Sequence, residues 1–179
     1  MKATGIIRKI DDLGRVVIPK EIRRTMRIRE GDPLEIYTNR DGEVIFKKYS
    51  LLEGLEDFAA DLCETLNHAL SCTCAVADRD VLLAVSGSGK RELLEHQISS
   101  ELSHLQESRR FYCAGSSGGI PAASGNEKHR ILAAAPVLTE GDGVGSILLL
   151  GSNEADPPDD VTCRLLQVFA SFLGKHLES

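Results

Sequence analysis

The sequence predicts an α+β protein of two unlike domains: a small strand-rich unit over residues 1–50 and, over residues 51–179, a mostly antiparallel sheet bracketed by helices. Three observations carry that expectation. Charge is divided unevenly, with 12 Lys+Arg against 8 Asp+Glu in residues 1–50 (net +4) and 9 against 19 in the remainder (net −10), inside an overall −6. Short β-rich runs punctuated by Gly and Asp-Gly fill the first part, whereas leucine stripes at spacings of three and four open the second. Ser50-Leu51-Leu52-Glu53 reads as a capping box that starts a helix where the last strand ends, with no Pro/Gly/Ser-rich linker between the halves.

A basic head on an acidic body suggests different partners for the two, a polyanion for the head, with a merely solvated basic surface as the alternative. Nothing at the N-terminus has the pattern of a signal peptide, and the longest apolar runs, such as 147–150, fall far below the ~18 residues of a membrane span. A cytoplasmic protein with no membrane contact is expected. The five cysteines are odd in number and irregularly spaced, which suits a reducing compartment better than a disulfide framework. With no Trp and 4% aromatic residues, the cores are expected to be aliphatic.

In the head, runs 4–10 (TGIIRKI) and 15–18 (RVVI) read as a hairpin across Asp11-Asp12-Leu13-Gly14. Pro19 then opens a short helix, KEIRRTMR, which Gly31-Asp32-Pro33 stops. Strands 34–37 and 43–47 follow, joined through Asp41-Gly42, with Leu34, Ile36, Val44 and Phe46 on one face. The order is ββαββ. On a helical wheel Lys20, Arg23, Arg24 and Arg27 fall within an arc of roughly 100°, opposite Ile22 and Met26. Lys20 in the first turn opposes the helix dipole unless an anion joins it, and a phosphate would resolve that conflict. The alternative has these arginines solvating the surface or pairing with Asp11, Asp12 and Glu21. One helix flanked by strands is not a helix-turn-helix. A unit of ~50 residues with few large apolar side chains is too small to hold a core alone, so it is expected to borrow apolar surface from a second copy.

The stretch TGIIRKIDDLGRVVIPKEIRRTMRIREGDPLEIYTNRDGEVIFKKY, above all GRVVIPKEIRR, resembles the swapped-hairpin DNA-binding domain of the AbrB family of bacterial transition-state regulators. The resemblance implies a swapped-hairpin β-barrel built as an interleaved dimer. It also implies contact with double-stranded, usually A/T-rich DNA through arginines matching Arg8, Arg15, Arg23 and Arg24. Lys9, Lys20 and Arg27 complete the candidate DNA-binding set. Both activation and repression are implied, and the whole chain is similar to regulators of gene expression in developing spores.

The capping box is expected to open a helix of ~20 residues with Leu51, Leu55, Phe58, Leu62, Leu66 and Leu70 on one stripe, either a stiff connector that couples the halves or simply the first packed helix of the second domain. Strands are expected at 73–77 and 81–85, an amphipathic helix at 91–106, a strand at 110–114, a strand pair at 130–138 and 145–150, and a closing helix at 161–177. RILAAAPVLTEGDGVGSILLLGS resembles the late strands of GAF domains, small-molecule sensor modules, and implies that residues 51–179 form a GAF-like sensor or oligomerisation domain. That domain is expected to take two head dimers to a homotetramer. Its ligand, if it has one, is unidentified. Ser116, Ser117 and Gly118, in a Gly/Ser loop, are the candidate effector contacts.

Gly87-Ser88-Gly89-Lys90 lacks the glycine spacing of a phosphate loop and reads as a turn. Cys72-x-Cys74 lacks a second pair and the histidines are scattered, so neither metal nor cofactor is expected. Two rivals stand beside the regulator. One is a cysteine-dependent methionine sulfoxide reductase on the GAF fold, using Cys72, Cys74 and Cys113. The other is an antitoxin-type DNA-binding protein, whose partner-binding tail is usually disordered. No catalytic residue is assigned.

Overall fold

A computed structural model describes residues 4–52, 54–115, 118–152 and 155–178. The chain divides into two compact units, residues 1–49 and 50–179.

In the first unit, runs 4–10 and 15–18 form no strand and no ladder among the described residues, contrary to the expected hairpin. Only the turn closes: Asp11 N–H donates to Arg15 O at 3.1 Å, Gly14 N–H to Asp11 O at 3.0 Å, and Gly14 takes φ +76°. A strand needs a neighbouring strand to take its backbone donors, and among the described residues these runs have none. Helix α1 spans Lys20–Thr25 with Pro19 as N-cap, one residue later than expected. It stops short of Arg27, which turns left-handed at φ +52°, while Ile28 N–H reaches back to Arg23 O at 2.8 Å. Strands β1 (Leu34–Thr38) and β2 (Val44–Lys48) pair antiparallel, with Ile36 opposite Phe46 and Tyr37 opposite Ile45, as the alternation requires. Asn39 Oδ1 holds their turn by accepting from Asp41 N–H (3.1 Å) and Glu43 N–H (2.9 Å).

The capping-box reading is corrected. Leu51, Leu52 and Gly54 lie in turns, with Gly54 at φ +89°, and helix α2 runs Glu56–Leu70 from an N-cap at Leu55 that has no side-chain cap. Glu53 lies outside the described residues. Leu52, instead of sitting on a helix, is buried in the core of the second unit, because an apolar side chain gains more there than Ser50 gains as a cap.

The second unit is one antiparallel sheet in the order β4-β3-β8-β7-β5, with β6 also on β7. Its strands are β3 (Thr73–Ala77), β4 (Leu82–Ser86), β5 (Tyr112–Cys113), β6 (Ile120–Ala123), β7 (Asn126–Thr139) and β8 (Asp142–Gly151). Alternation sends Cys74, Val76, Ile147 and Leu149 to one face, where they meet Leu62 and Leu66 of α2 and Leu166 and Leu173 of helix α5 (Asp160–His176). The other face carries Ala75, Ala77, Leu148 and Leu150 against Leu93, Ile98 and Leu102. Gly145 lies where a Cβ would collide with the Ala77 carbonyl and come within 2.7 Å of Leu52 Cδ1, so glycine lets β3 and β8 close up.

The single helix expected over 91–106 is two: α3 (Lys90–Leu93) and α4 (Ser100–Ser108). Between them the backbone joins the sheet edge, with Leu82 N–H donating to His96 O (3.0 Å), Glu95 N–H to Leu82 O (2.8 Å) and Ile98 N–H to Asp80 O (2.9 Å). Ser99, buried, caps α4 through Leu102 N–H (3.0 Å) and donates to Pro121 O (2.7 Å). The strand expected at 110–114 shrinks to β5. Strand β6, for its part, forms where only a loop was read.

Candidate nucleic-acid interface

All seven candidate DNA-binding residues, Arg8, Lys9, Arg15, Lys20, Arg23, Arg24 and Arg27, are exposed. Arg15 is tied to its turn: its Nε donates to Asp11 Oδ2 at 2.8 Å and its N–H to Asp11 Oδ1 at 2.7 Å. Those backbone and side-chain bonds from Arg15 hold the Asp11 carboxyl below the usual aspartate range. Pairing with Asp11 is the alternative drawn for the basic residues of the helix; Arg15 of the turn makes that pair instead. Yet a guanidinium has five N–H donors, so one ion pair leaves others for a phosphate. Arg8 donates Nη1 to Ile7 O at 3.0 Å. Lys20, Arg23 and Arg24 stand at i, i+3 and i+4 of α1 and, among the described residues, enter no ion pair.

Arg27 leaves that face, because the helix has ended; its carbonyl accepts from Lys48 Nζ at 3.1 Å. The dipole argument also weakens, since α1 has six residues and Pro19 in place of a donor-bearing cap. What remains is a concentration of positive charge on the N-terminal run, the turn and the helix.

Around these charges the apolar residues are exposed too: Ile7 is 87% and Val17 71% accessible, with Ile10, Val16, Met26, Ile36, Val44 and Phe46 also open to solvent. Among the described residues of this unit Pro19 alone is buried.

In the second unit Gly87–Gly89 is a turn, with Gly87 at φ +109° and Ser88 N–H donating to Thr73 Oγ1 at 2.9 Å, and Lys90 opens α3. Of the candidate effector contacts, Ser116 and Ser117 lie outside the described residues, and Gly118 takes φ +84°. A cavity of about 450 Å³ lies elsewhere, between the β7–β8 hairpin and α5, lined by Phe111, Pro136, Leu138, Gln167, Ser171 and Lys175 among others. Sequence reading missed it because its walls come from segments more than 20 positions apart. The cysteines expected to converge do so differently. Cys72 and Cys74 stand 3.7 Å apart, while Cys113 meets Cys163 at 3.5 Å. No group of three metal-ligating side chains occurs among the described residues. No helix among them is long and apolar enough to cross a membrane.

Aligned with stage V sporulation protein T of Bacillus subtilis (strain 168), the chain is 42% identical over 179 residues, covering 99% of each. Residues 54–178 match the family model described as stage V sporulation protein T C-terminal, transcription factor. The chain belongs to the stage V sporulation protein T family. This family member's head is AbrB-like: 49 residues are 63% identical to transition state regulatory protein AbrB of the same organism, over 27% of this chain and half of AbrB. Residues 7–51 also match the model described as antidote-toxin recognition MazE, bacterial antitoxin. The body has the GAF-like fold. It superposes on the crystal structure of the GAF domain from Acinetobacter phosphoenolpyruvate-protein phosphotransferase with a TM-score of 0.56 at 14% identity, over 73% of this chain and 84% of that one.

Proposed function

We propose that this protein is a sequence-selective regulator of sporulation genes. In this reading two heads interleave and hold duplex DNA with Arg8, Lys9, Arg15, Lys20, Arg23, Arg24 and Arg27 of each chain. The observation that carries it is the coincidence, in one unit, of exposed basic side chains with exposed apolar ones. The apolar set is what a second copy would cover, and the pairing doubles the charge facing the DNA. If Arg8, Arg15, Arg23 and Arg24 of the two chains make about eight phosphate or base contacts, the slope of log K against log salt is near −7 at most.

Replacing Arg23 or Arg24 by Ala is expected to abolish tight binding in an electrophoretic shift assay while circular dichroism and oligomer size stay unchanged. Wild-type affinity in both variants would sink the assignment.

The tetramer reading rests on α5. Val161, Leu165, Val168 and Phe172 recur at spacings of four, three and four, and Val161, Val168 and Phe172 are exposed, a seam suited to pairing bodies. The family's description as a transcription factor, and a folded body in place of a disordered tail, favour a regulator over an antitoxin. The reductase reading is weakened by the cysteines themselves. Cys113 stands with Cys163 and not with Cys72 and Cys74, and the bond between those two, which lowers Cys72, together with burial holds Cys74 high. Absence of turnover of methionine sulfoxide with a thiol reductant is the expected result.

A further inference from the structure

One pair of sulfurs plays no part in DNA binding or in the core packing described above. Cys113 ends the two-residue edge strand β5, and Cys163 sits in the first turn of α5, 50 positions along the chain. Their Sγ atoms are 3.5 Å apart, with the Cys163 S–H donating to Cys113. A disulfide needs ~2.05 Å, so closure asks for about 1.5 Å of approach shared between two side chains. Both cysteines are free thiols, Cys113 exposed and Cys163 buried.

We propose that Cys113 and Cys163 form a reversible disulfide on exposure to a hydroperoxide, Cys113 being oxidised first and Cys163 closing the bond. In the first step Cys113 thiolate attacks one peroxide oxygen, the O–O bond breaks, and Cys113 sulfenic acid and hydroxide result. In the second the Cys163 sulfur attacks the sulfenic sulfur, the S–O bond breaks and water leaves. The balance is two thiols and one hydrogen peroxide to one disulfide and two waters, with sulfur oxidised and peroxide oxygen reduced. A thiol reductant reverses it by exchange.

The order of events follows from access. Cys113 is exposed whereas Cys163 is only 9% accessible, and oxidation tracks exposure as well as ionisation. Burial, the contact with Cys113 and the nearby Asp159 and Asp160 together push Cys163 up to about 11, which fits a resolving thiol that waits for an electrophile beside it. The second pair is a poorer candidate, since Cys74 is closed off from solvent. A bond between Cys113 and Cys163 would clamp the sheet edge, at the entry to the Gly115–Gly119 stretch, onto α5. In a reducing compartment such a bond is transient, as a redox sensor requires.

The test uses the full-length protein, reduced, desalted, exposed to hydrogen peroxide and quenched with N-ethylmaleimide before peptide mass spectrometry. The expected result is loss of two alkylatable thiols per chain, mapped to a Cys113–Cys163 linked peptide within one chain and restored by dithiothreitol. Cys163→Ser is expected to leave Cys113 as a sulfenic acid that dimedone captures, and Cys113→Ser to leave Cys163 alkylatable. Retention of both thiols, a Cys72–Cys74 bond in their place, or a link between chains would overturn the proposal, and the wild-type map decides it even if a variant folds poorly.

Discussion

In the body, Leu66, Ile147, Leu166 and Leu173 are fully closed off from solvent, whereas in the head Ile7 keeps 87% of its surface exposed and Pro19 is the one buried residue among those described. Both halves are built from the same aliphatic residues, so composition does not explain the difference. Closure does. The body has a sheet of six strands with a helical layer on each face, and each inward side chain has a wall to meet. Among its described residues the head has one hairpin, one six-residue helix and two runs without a strand partner, so burial within one chain does not offset backbone ordering at ~1–2 kcal/mol per residue. A fold can thus be specified by a chain that is too short to complete it.

The largest expected effects separate the halves by truncation. Leu66→Ala in the body is expected to cost about 2–5 kcal/mol in denaturant unfolding, independent of protein concentration, because it empties a sealed site. Ile7→Ala in the head would cost almost nothing in a lone chain but is expected to weaken the paired head markedly, with a loss that grows on dilution. Equal, concentration-independent effects of the two would erase the contrast.

A smaller effect concerns a joint within the body. Ser99→Ala removes both the α4 cap and the donor to Pro121 O, and is expected to cost about 1–3 kcal/mol in the same measurement. The smallest is a pH effect at Asp159, whose carboxylate caps α5 by accepting from Thr162 N–H at 2.8 Å. The side-chain and backbone bonds of Thr162 hold it below the usual aspartate range. Its contribution is therefore present above that range and lost as pH falls through the lowered value. Asp159→Asn is expected to flatten the acid side of a melting-temperature profile and change little at neutral pH.

What was legible in the sequence follows the same division. Alternation in 34–47 gave the β1–β2 register, because a period of two leaves only one way to turn Ile36 and Phe46 to the same face. The strand pair flanking Glu140-Gly141 and the stripe of α5 were likewise local patterns. Failures came where distant residues outbid local ones. The Ser50 cap lost to burial of Leu52, the helix over 91–106 broke so that His96 and Glu95 could pair with Leu82, and Arg27 left its arc when the helix ended. The basic candidates were found by charge and by family resemblance. The Cys113–Cys163 contact was invisible because no local period links positions 50 apart.

The central claim is that the head has no folded state as a single chain. Residues 1–53 expressed alone and followed by analytical ultracentrifugation and thermal melting across a concentration series test it most directly. The account predicts a dimer whose melting temperature rises with concentration, because association and folding are one equilibrium. A folded monomer at low micromolar concentration, with a melt that does not move on dilution, would contradict it.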